Sequence, residues 1–313
     1  MKQTFSATRE AFAQALIDSA QKNSNIVALT ADLKSSLKLD EFEKQFPKQL
    51  FEMGICEQNM ASSACGMAKL GKIPFICSYA VFSPGRNWDQ IRVGACYSNI
   101  PLKVVGGHTG LVTGPDGATH QALEDIAIMR VLPNMEVYVP SDPQEAYEIT
   151  KNMCISKIPN YLRLNRIKQN NIEFAEKFSF QKARLVVDKG DDCVIFATGL
   201  TVEIAKQAVE ELEYENIRCK VLAIHSIKPI DVKRIVKESK KCGCVVSVEE
   251  HQIHGGLGSA ISEVLSQHIP TPQEYVAVQD TFGESGEGDE LLKKYGISVE
   301  NIKKKVKAVL KRK

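Results

Sequence analysis

Short apolar runs alternate along this chain with stretches whose apolar positions recur at helical spacing. That alternation predicts a mostly parallel sheet covered by helices on both faces, an α/β fold. Phe12, Ala15, Leu16 and Ala20 make one helical stripe, followed by a predicted strand at 25–29 and a helix at 39–46 closed by Pro47. Further strands are predicted at 73–79, 102–106, 136–139 and 161–164. Ser141-Asp142-Pro143 reads as a helix start, a capping side chain followed by a proline whose missing amide hydrogen costs nothing in the first turn. From about 169 to 184 the periodicity lapses into a polar, lysine-rich stretch, read as a linker. Beyond it strands are predicted at 193–197, 219–223 and 245–248, with helices at 201–212 and after Gly258. The expected organisation is a first domain at 1–168, a linker at 169–184 and a second domain at 185–313.

The length of 313 residues agrees with two α/β domains of roughly 150 residues each. Lysine plus arginine total 40 against 38 acidic residues, so no broad field is available to grip nucleic acid or an anionic membrane. The local exception is the tail, with Lys303, Lys304, Lys305, Lys307, Lys311, Arg312 and Lys313. A solvated face of a final helix is the commoner meaning of such a run. The nine cysteines include no C-x-x-C pair and are odd in number, which suits reduced thiols in a cytoplasmic protein. Cys242 and Cys244 flank one glycine; buried core thiols are commoner than a redox or metal pair. The N-terminus carries an acidic residue and no continuous apolar core, unlike a signal peptide or a membrane anchor.

Three segments can carry chemistry. Gly54-Ile55-Cys56-Glu57-Gln58-Asn59-Met60 delivers one carboxylate into the start of a helix rich in small residues; alone, such a glutamate is usually a surface charge favoured by the helix dipole. The loop from Gly106 to Gln121 leaves an apolar strand and holds five glycines, His108, Asp116 and His120. Loops at the carboxyl ends of parallel strands bind ligands in α/β proteins, and these side chains offer proton transfer and hydroxyl recognition. A metal site is the alternative, although a glycine-rich loop does not preset ligand geometry. Tyr79-Ala80-Val81-Phe82 follows a predicted strand, where aromatics normally pack the core. Arg9, Ser36, Arg163 and Arg166 say little as isolated residues.

Taken in order, these segments resemble the pyrimidine-binding and C-terminal domains of the transketolase family over nearly the whole chain. The carrying motifs are Ala31-Asp32-Leu33, GICEQNM, YAVF and GPDGATHQALEDIAIMRVLPN with VPSD, then Ser226 to Asp231 and Glu249-Glu250-His251 leading to Gly255-Gly256-Leu257-Gly258. The resemblance implies thiamine diphosphate as cofactor, with Glu57 hydrogen-bonded to its aminopyrimidine, Phe82 stacked on that ring, Tyr79 in the same wall and Asp32 near the thiazolium. It implies that His108 and His120 meet a sugar substrate and that Asp116 recognises a substrate hydroxyl. Arg9, Ser36 and Arg166 align with residues that bind a sugar phosphate; a sulfonated or branched sugar would present a similar anion.

One family feature is missing from this sequence. The diphosphate and Mg2+ are held in the family by a domain with a Gly-Asp-Gly motif, and Gly190-Asp191-Asp192 and Gly288-Asp289-Glu290 are only partial echoes. The chain supplies no metal ligands in this reading. It is therefore expected to be the C-terminal subunit of a split transketolase, completed by an N-terminal subunit and assembled as a dimer of heterodimers. The alternatives are a 2-oxoacid dehydrogenase β subunit, a deoxyxylulose-phosphate synthase-like enzyme and an inactive partner subunit. Cys56, beside the glutamate, has no evident activating base.

Overall fold

Residues 6–313 are described in a computed structural model; the first five, part of the N-terminal stretch considered above, lie outside the described residues. The chain forms two α/β units, as the alternation predicts. In the first sheet the strands are β1 (Ile26–Thr30), β2 (Leu50–Glu52), β3 (Ile73–Tyr79), β4 (Lys103–Gly107), β5 (Glu136–Tyr138) and β6 (Asn160–Arg163). In the second half follow β7 (Arg184–Asp188), β8 (Cys193–Ala197), β9 (Cys219–Ala223), β10 (Ser226–Lys228), β11 (Val245–Gln252) and β12 (Gln273–Val278). The first sheet has seven strands in the order β10-β5-β6-β4-β3-β1-β2, and the second five in the order β12-β11-β8-β9-β7. All pairings are parallel except β10 with β5 and β7 with β9, both at sheet edges.

Two features depart from the expected organisation. Arg184, expected in the linker, opens β7, which pairs antiparallel with β9. The Ser226–Lys228 strand, from the second half of the chain, closes the edge of the first sheet. Such an edge pairing leaves no local pattern, because a three-residue antiparallel strand shows too little alternation to be read.

Both faces of the first sheet are buried, which explains its continuous apolar strands. Ile76, Val104 and Tyr161 face one apolar cluster, and their neighbours Phe75, Val105 and Leu162 face another. The first cluster also takes in Val194, Phe196, Leu222 and Val245 of the second sheet, so the two units share one core. Asp142 caps the helix Pro143–Ile155 by accepting the Glu145 amide at 2.7 Å, as its motif predicts. The lysine-rich tail forms the helix Val299–Leu310, where Lys303 pairs with Glu211 at 2.7 Å and Lys305 with Glu274 at 2.9 Å. Cys242 and Cys244 are buried, and burial pushes the Cys242 thiol up to about 12. Asp191 is engaged by Lys220 at 2.6 Å and Lys241 at 2.9 Å. Among the described residues no helix is long and apolar enough to cross a membrane, and no group of three His, Cys, Asp or Glu residues could hold a metal ion.

Candidate active site

Strands β1, β3, β4 and β6 lie side by side as β6-β4-β3-β1, and the segments leaving their carboxyl ends carry Asp32, Tyr79 with Phe82, His108 and Arg166. A parallel sheet thus gathers at one edge residues that are far apart in sequence. His108 stands at the centre, 3% exposed and with φ of +50°. Its ring stacks on Tyr79 at 3.9 Å between centroids, and Tyr79 lies parallel to Phe82 at 5.9 Å. His120 meets the edge of Phe82 at 5.3 Å. Tyr79 donates its hydroxyl to Ser36 Oγ at 3.2 Å, and Arg9 donates to the Ser36 carbonyl at 3.0 Å.

Arg9 Nη1 also lies 3.2 Å from Nε2 of His108. Arginine only donates, so Nε2 accepts and the imidazole proton sits on Nδ1. Among the described residues that Nδ1 is buried without a hydrogen-bond partner, and so is Nε of Arg9. Two unpaired donors, side by side and out of water, are what a site for an oxygen-rich ligand leaves waiting. Burial, and then the charges of Arg9, Arg166 and His120, pull the His108 pKa down to about 3, so the ring is neutral. Burial and then the charge of Arg166 lower the Arg9 pKa as well. Arg166 donates to the Thr113 carbonyl at 3.0 Å and to Asp116 at 3.4 Å, tying the rim of the loop to the end of β6.

Glu57 opens the helix Glu57–Lys69 and is 4% exposed. Arg86 donates to its Oε1 at 3.1 Å, while the guanidinium carbon lies 4.1 Å from the centroid of Phe82. Asn87, buried, donates to the Glu57 carbonyl at 3.1 Å. An open cavity of about 530 Å³ runs past Glu57, Cys56, Asn59 and Arg86. Cys56 is exposed at its rim.

Arg9, Ser36, Tyr79, Phe82, His108 and His120 are thus brought together, and Arg86 links Glu57 to them. Asp32 is not joined to the cluster by any hydrogen bond. It lies exposed after β1 with φ of +58°, its amide donating to Glu52 at 2.8 Å. Sequence reasoning missed Arg86 and Asn87, although both stand within the stretch after YAVF. It named Arg163 but gave it no role, whereas the residue is buried against Asp125 at 2.9 Å and Glu250 at 3.8 Å.

The carboxylate at the start of a small-residue helix, the aromatic wall and the glycine-rich histidine loop define a two-unit α/β protein whose candidate site lies at the carboxyl ends of its parallel strands. The chain matches the family model "Transketolase, pyrimidine binding domain" over residues 6–170 and "Transketolase, C-terminal domain" over 181–302. It therefore belongs to the transketolase family. It is 36% identical to the 6-deoxy-6-sulfo-D-fructose transketolase subunit SqwH of Clostridium sp. (strain MSTE9), over 97% of this chain and 95% of the relative. It is 35% identical to an apulose-4-phosphate transketolase subunit of Phocaeicola vulgatus, covering 95% of each. A solved split-gene transketolase, described as an inactive β4 tetramer, superposes with a TM-score of 0.91 at 40% identity, covering 98% of this chain and 99% of that one. Against the longer transketolase-like protein 2 of Mus musculus, 35% identical, the chain spans 47% of the relative.

Proposed function

We propose that this chain is the C-terminal subunit of a two-subunit transketolase that moves a two-carbon ketol unit between anionic sugars with thiamine diphosphate. One observation carries this reading: a planar, nitrogen-bearing group, the Arg86 guanidinium, already lies between the Glu57 carboxylate and the face of Phe82. An aminopyrimidine offers the same two features, nitrogen facing a carboxylate and a flat face for an aromatic ring. The residues present therefore fit the cofactor's pyrimidine half. The Mg2+ and diphosphate are assigned to an N-terminal subunit. Relatives of this length that are themselves transketolase subunits, one acting on a sulfonated sugar and one on apulose 4-phosphate, support that division. The inactive state of the β4 tetramer agrees with a chain that needs its partner.

When bound, thiamine diphosphate supplies an acidic thiazolium carbon that can act as a nucleophile toward a ketose carbonyl. Glu57 would hold the pyrimidine ring nitrogen and set its protonation pattern, while Phe82, backed by Tyr79, would orient the ring. Asp32, exposed after β1, would be the negative partner that the family resemblance assigns to the thiazolium. His108, neutral with its proton on Nδ1, donates to a sugar oxygen, and His120 shares the proton traffic at the reacting hydroxyl. Asp116 accepts from a substrate hydroxyl, and Arg9, Ser36 and Arg166 hold the anionic end. The donor's C2–C3 bond breaks and a new carbon–carbon bond forms to the acceptor aldehyde, with no net oxidation.

Coexpression with a partner bearing the Gly-Asp-Gly motif, plus thiamine diphosphate and Mg2+, is expected to yield ketol transfer that Glu57→Ala lowers by about 10²–10⁴-fold. Full activity of that variant would sink the mechanism. Turnover of pyruvate in place of ketose phosphates would move the chain to the 2-oxoacid dehydrogenase class.

A further inference from the structure

The second half of the chain reaches under the loop that carries the candidate substrate residues. From β11, Glu250 is 2% exposed, and its carboxylate accepts the Val112 amide at 2.9 Å. Gly110, with φ of +73°, packs directly on this carboxylate: a Cβ there would stand 2.2 Å from Cδ of Glu250. Glycine is required at that point both by the backbone conformation and by the close approach.

Behind Glu250, Arg163 donates to its main-chain carbonyl at 3.0 Å and to that of Ala122 at 3.2 Å, so one guanidinium ties the far end of the loop to β11. The hold continues into the site. Thr113, next to the clasped Val112 amide, donates its hydroxyl to the His108 carbonyl at 2.7 Å and accepts Arg166 on its own carbonyl. His108 sits at φ of +50°, a conformation that a non-glycine residue keeps only when its surroundings enforce it.

We infer that Glu250 is a positioning residue, through which the C-terminal domain sets the geometry of the His108 loop for substrate binding. The carboxylate touches no substrate; it acts through the Val112 amide and its packing against Gly110. Its role as a substrate positioner rests on the proposed function, whereas the clasp on the loop does not.

The test separates the two. Amide hydrogen exchange of the full chain is compared for the wild type, Glu250→Ala and Glu250→Gln. In Glu250→Ala the amides of 108–117 are expected to exchange at least about tenfold faster, with β4, β6 and β11 unchanged. Glu250→Gln keeps one acceptor oxygen and should fall between. In the enzyme assembled with its partner, Glu250→Ala should raise the ketose KM about tenfold and leave thiamine diphosphate affinity unchanged. Glu250→Gln should restore most of that loss. If Glu250→Ala fails to fold, Gly110→Ala presses a methyl on the same carboxylate and should give the same loop-confined exchange. Unchanged loop exchange, or a uniform rise across both sheets, overturns the inference. Loop-confined exchange without ketose turnover leaves the clasp standing and removes the substrate reading instead.

Discussion

Arg86 donates to Oε1 of Glu57 at 3.1 Å, and its guanidinium carbon stands 4.1 Å from the ring centroid of Phe82. The carboxylate and the aromatic face assigned to the aminopyrimidine are therefore engaged by one side chain of the same chain. A ligand that takes this seat must first part Arg86 from Glu57. Arg86 is about half exposed, so the pair contributes only about 0.2–1 kcal/mol. Arg86→Ala is expected to speed thiamine diphosphate association with the assembled enzyme about two- to fivefold, measured by stopped-flow fluorescence. A slower association would mean that Arg86 assists the cofactor instead of preceding it.

His108 is expected to stay neutral across the working range of pH. Its pKa is lowered to about 3 by burial and then by Arg9, against about 6.5 in an unfolded chain. Between these values the unfolded state binds more protons. This residue's contribution to stability is therefore full above about pH 6.5 and lost as the pH falls toward 3. In a ¹⁵N NMR titration, His108 should show the Nδ1–H tautomer and no titration from pH 5 to 8. A midpoint near 6.5 would contradict the buried, Arg9-bonded ring.

Much of the fold was legible because burial on both sheet faces makes apolar runs continuous. Ile73–Tyr79, Cys193–Ala197 and Cys219–Ala223 are strands with the bounds their composition predicts. Leu50–Glu52 and Ser226–Lys228 were missed because three residues at an edge carry too little periodicity. In the site, His108 and Glu57 stood out through motif context, whereas Arg86 and Glu250 act through contacts across 29 and 138 residues of sequence that no local pattern encodes. Arg163 looked like any arginine; only the sheet reveals it pinned between two carboxylates.

Arg163→Met should be strongly destabilising for that reason. The guanidinium is 6% exposed and serves Asp125 at 2.9 Å and Glu250 at 3.8 Å, both buried. Removing one partner of a buried ionic group leaves the other charges uncompensated and costs about 3–5 kcal/mol. Urea denaturation followed by circular dichroism measures the loss. A change below about 1 kcal/mol would mean that the carboxylates find other partners or bind protons.

The first unit should not survive alone as residues 1–168. Cutting there removes β10 and bares the edge of β5, and it uncovers the face that packs on Val194, Phe196 and Leu222. Bare strand edges and apolar faces associate. Size-exclusion chromatography is expected to show aggregation or an unfolded fragment. A folded monomer melting with the full chain would show that the shared core contributes little.

Arg9 should decide how the anionic end of a substrate is held, and it acts on the chemistry as well. Its Nη1 orients His108 through Nε2 at 3.2 Å, and its buried Nε has no hydrogen-bond partner among the described residues. A charge-assisted hydrogen bond from that nitrogen to a phosphate or sulfonate is worth about 1.5–3 kcal/mol. Arg9→Ala is therefore expected to raise KM for an anionic sugar about 10–100-fold and, by freeing His108, to lower kcat too. Arg166, half exposed and shared with Asp116, should affect KM less when changed to alanine. Comparing a phosphorylated, a sulfonated and an uncharged sugar on both variants separates anion binding from His108 orientation. The uncharged sugar should lose kcat but not KM in Arg9→Ala, and an equal KM loss for all three would remove Arg9 from the anion site.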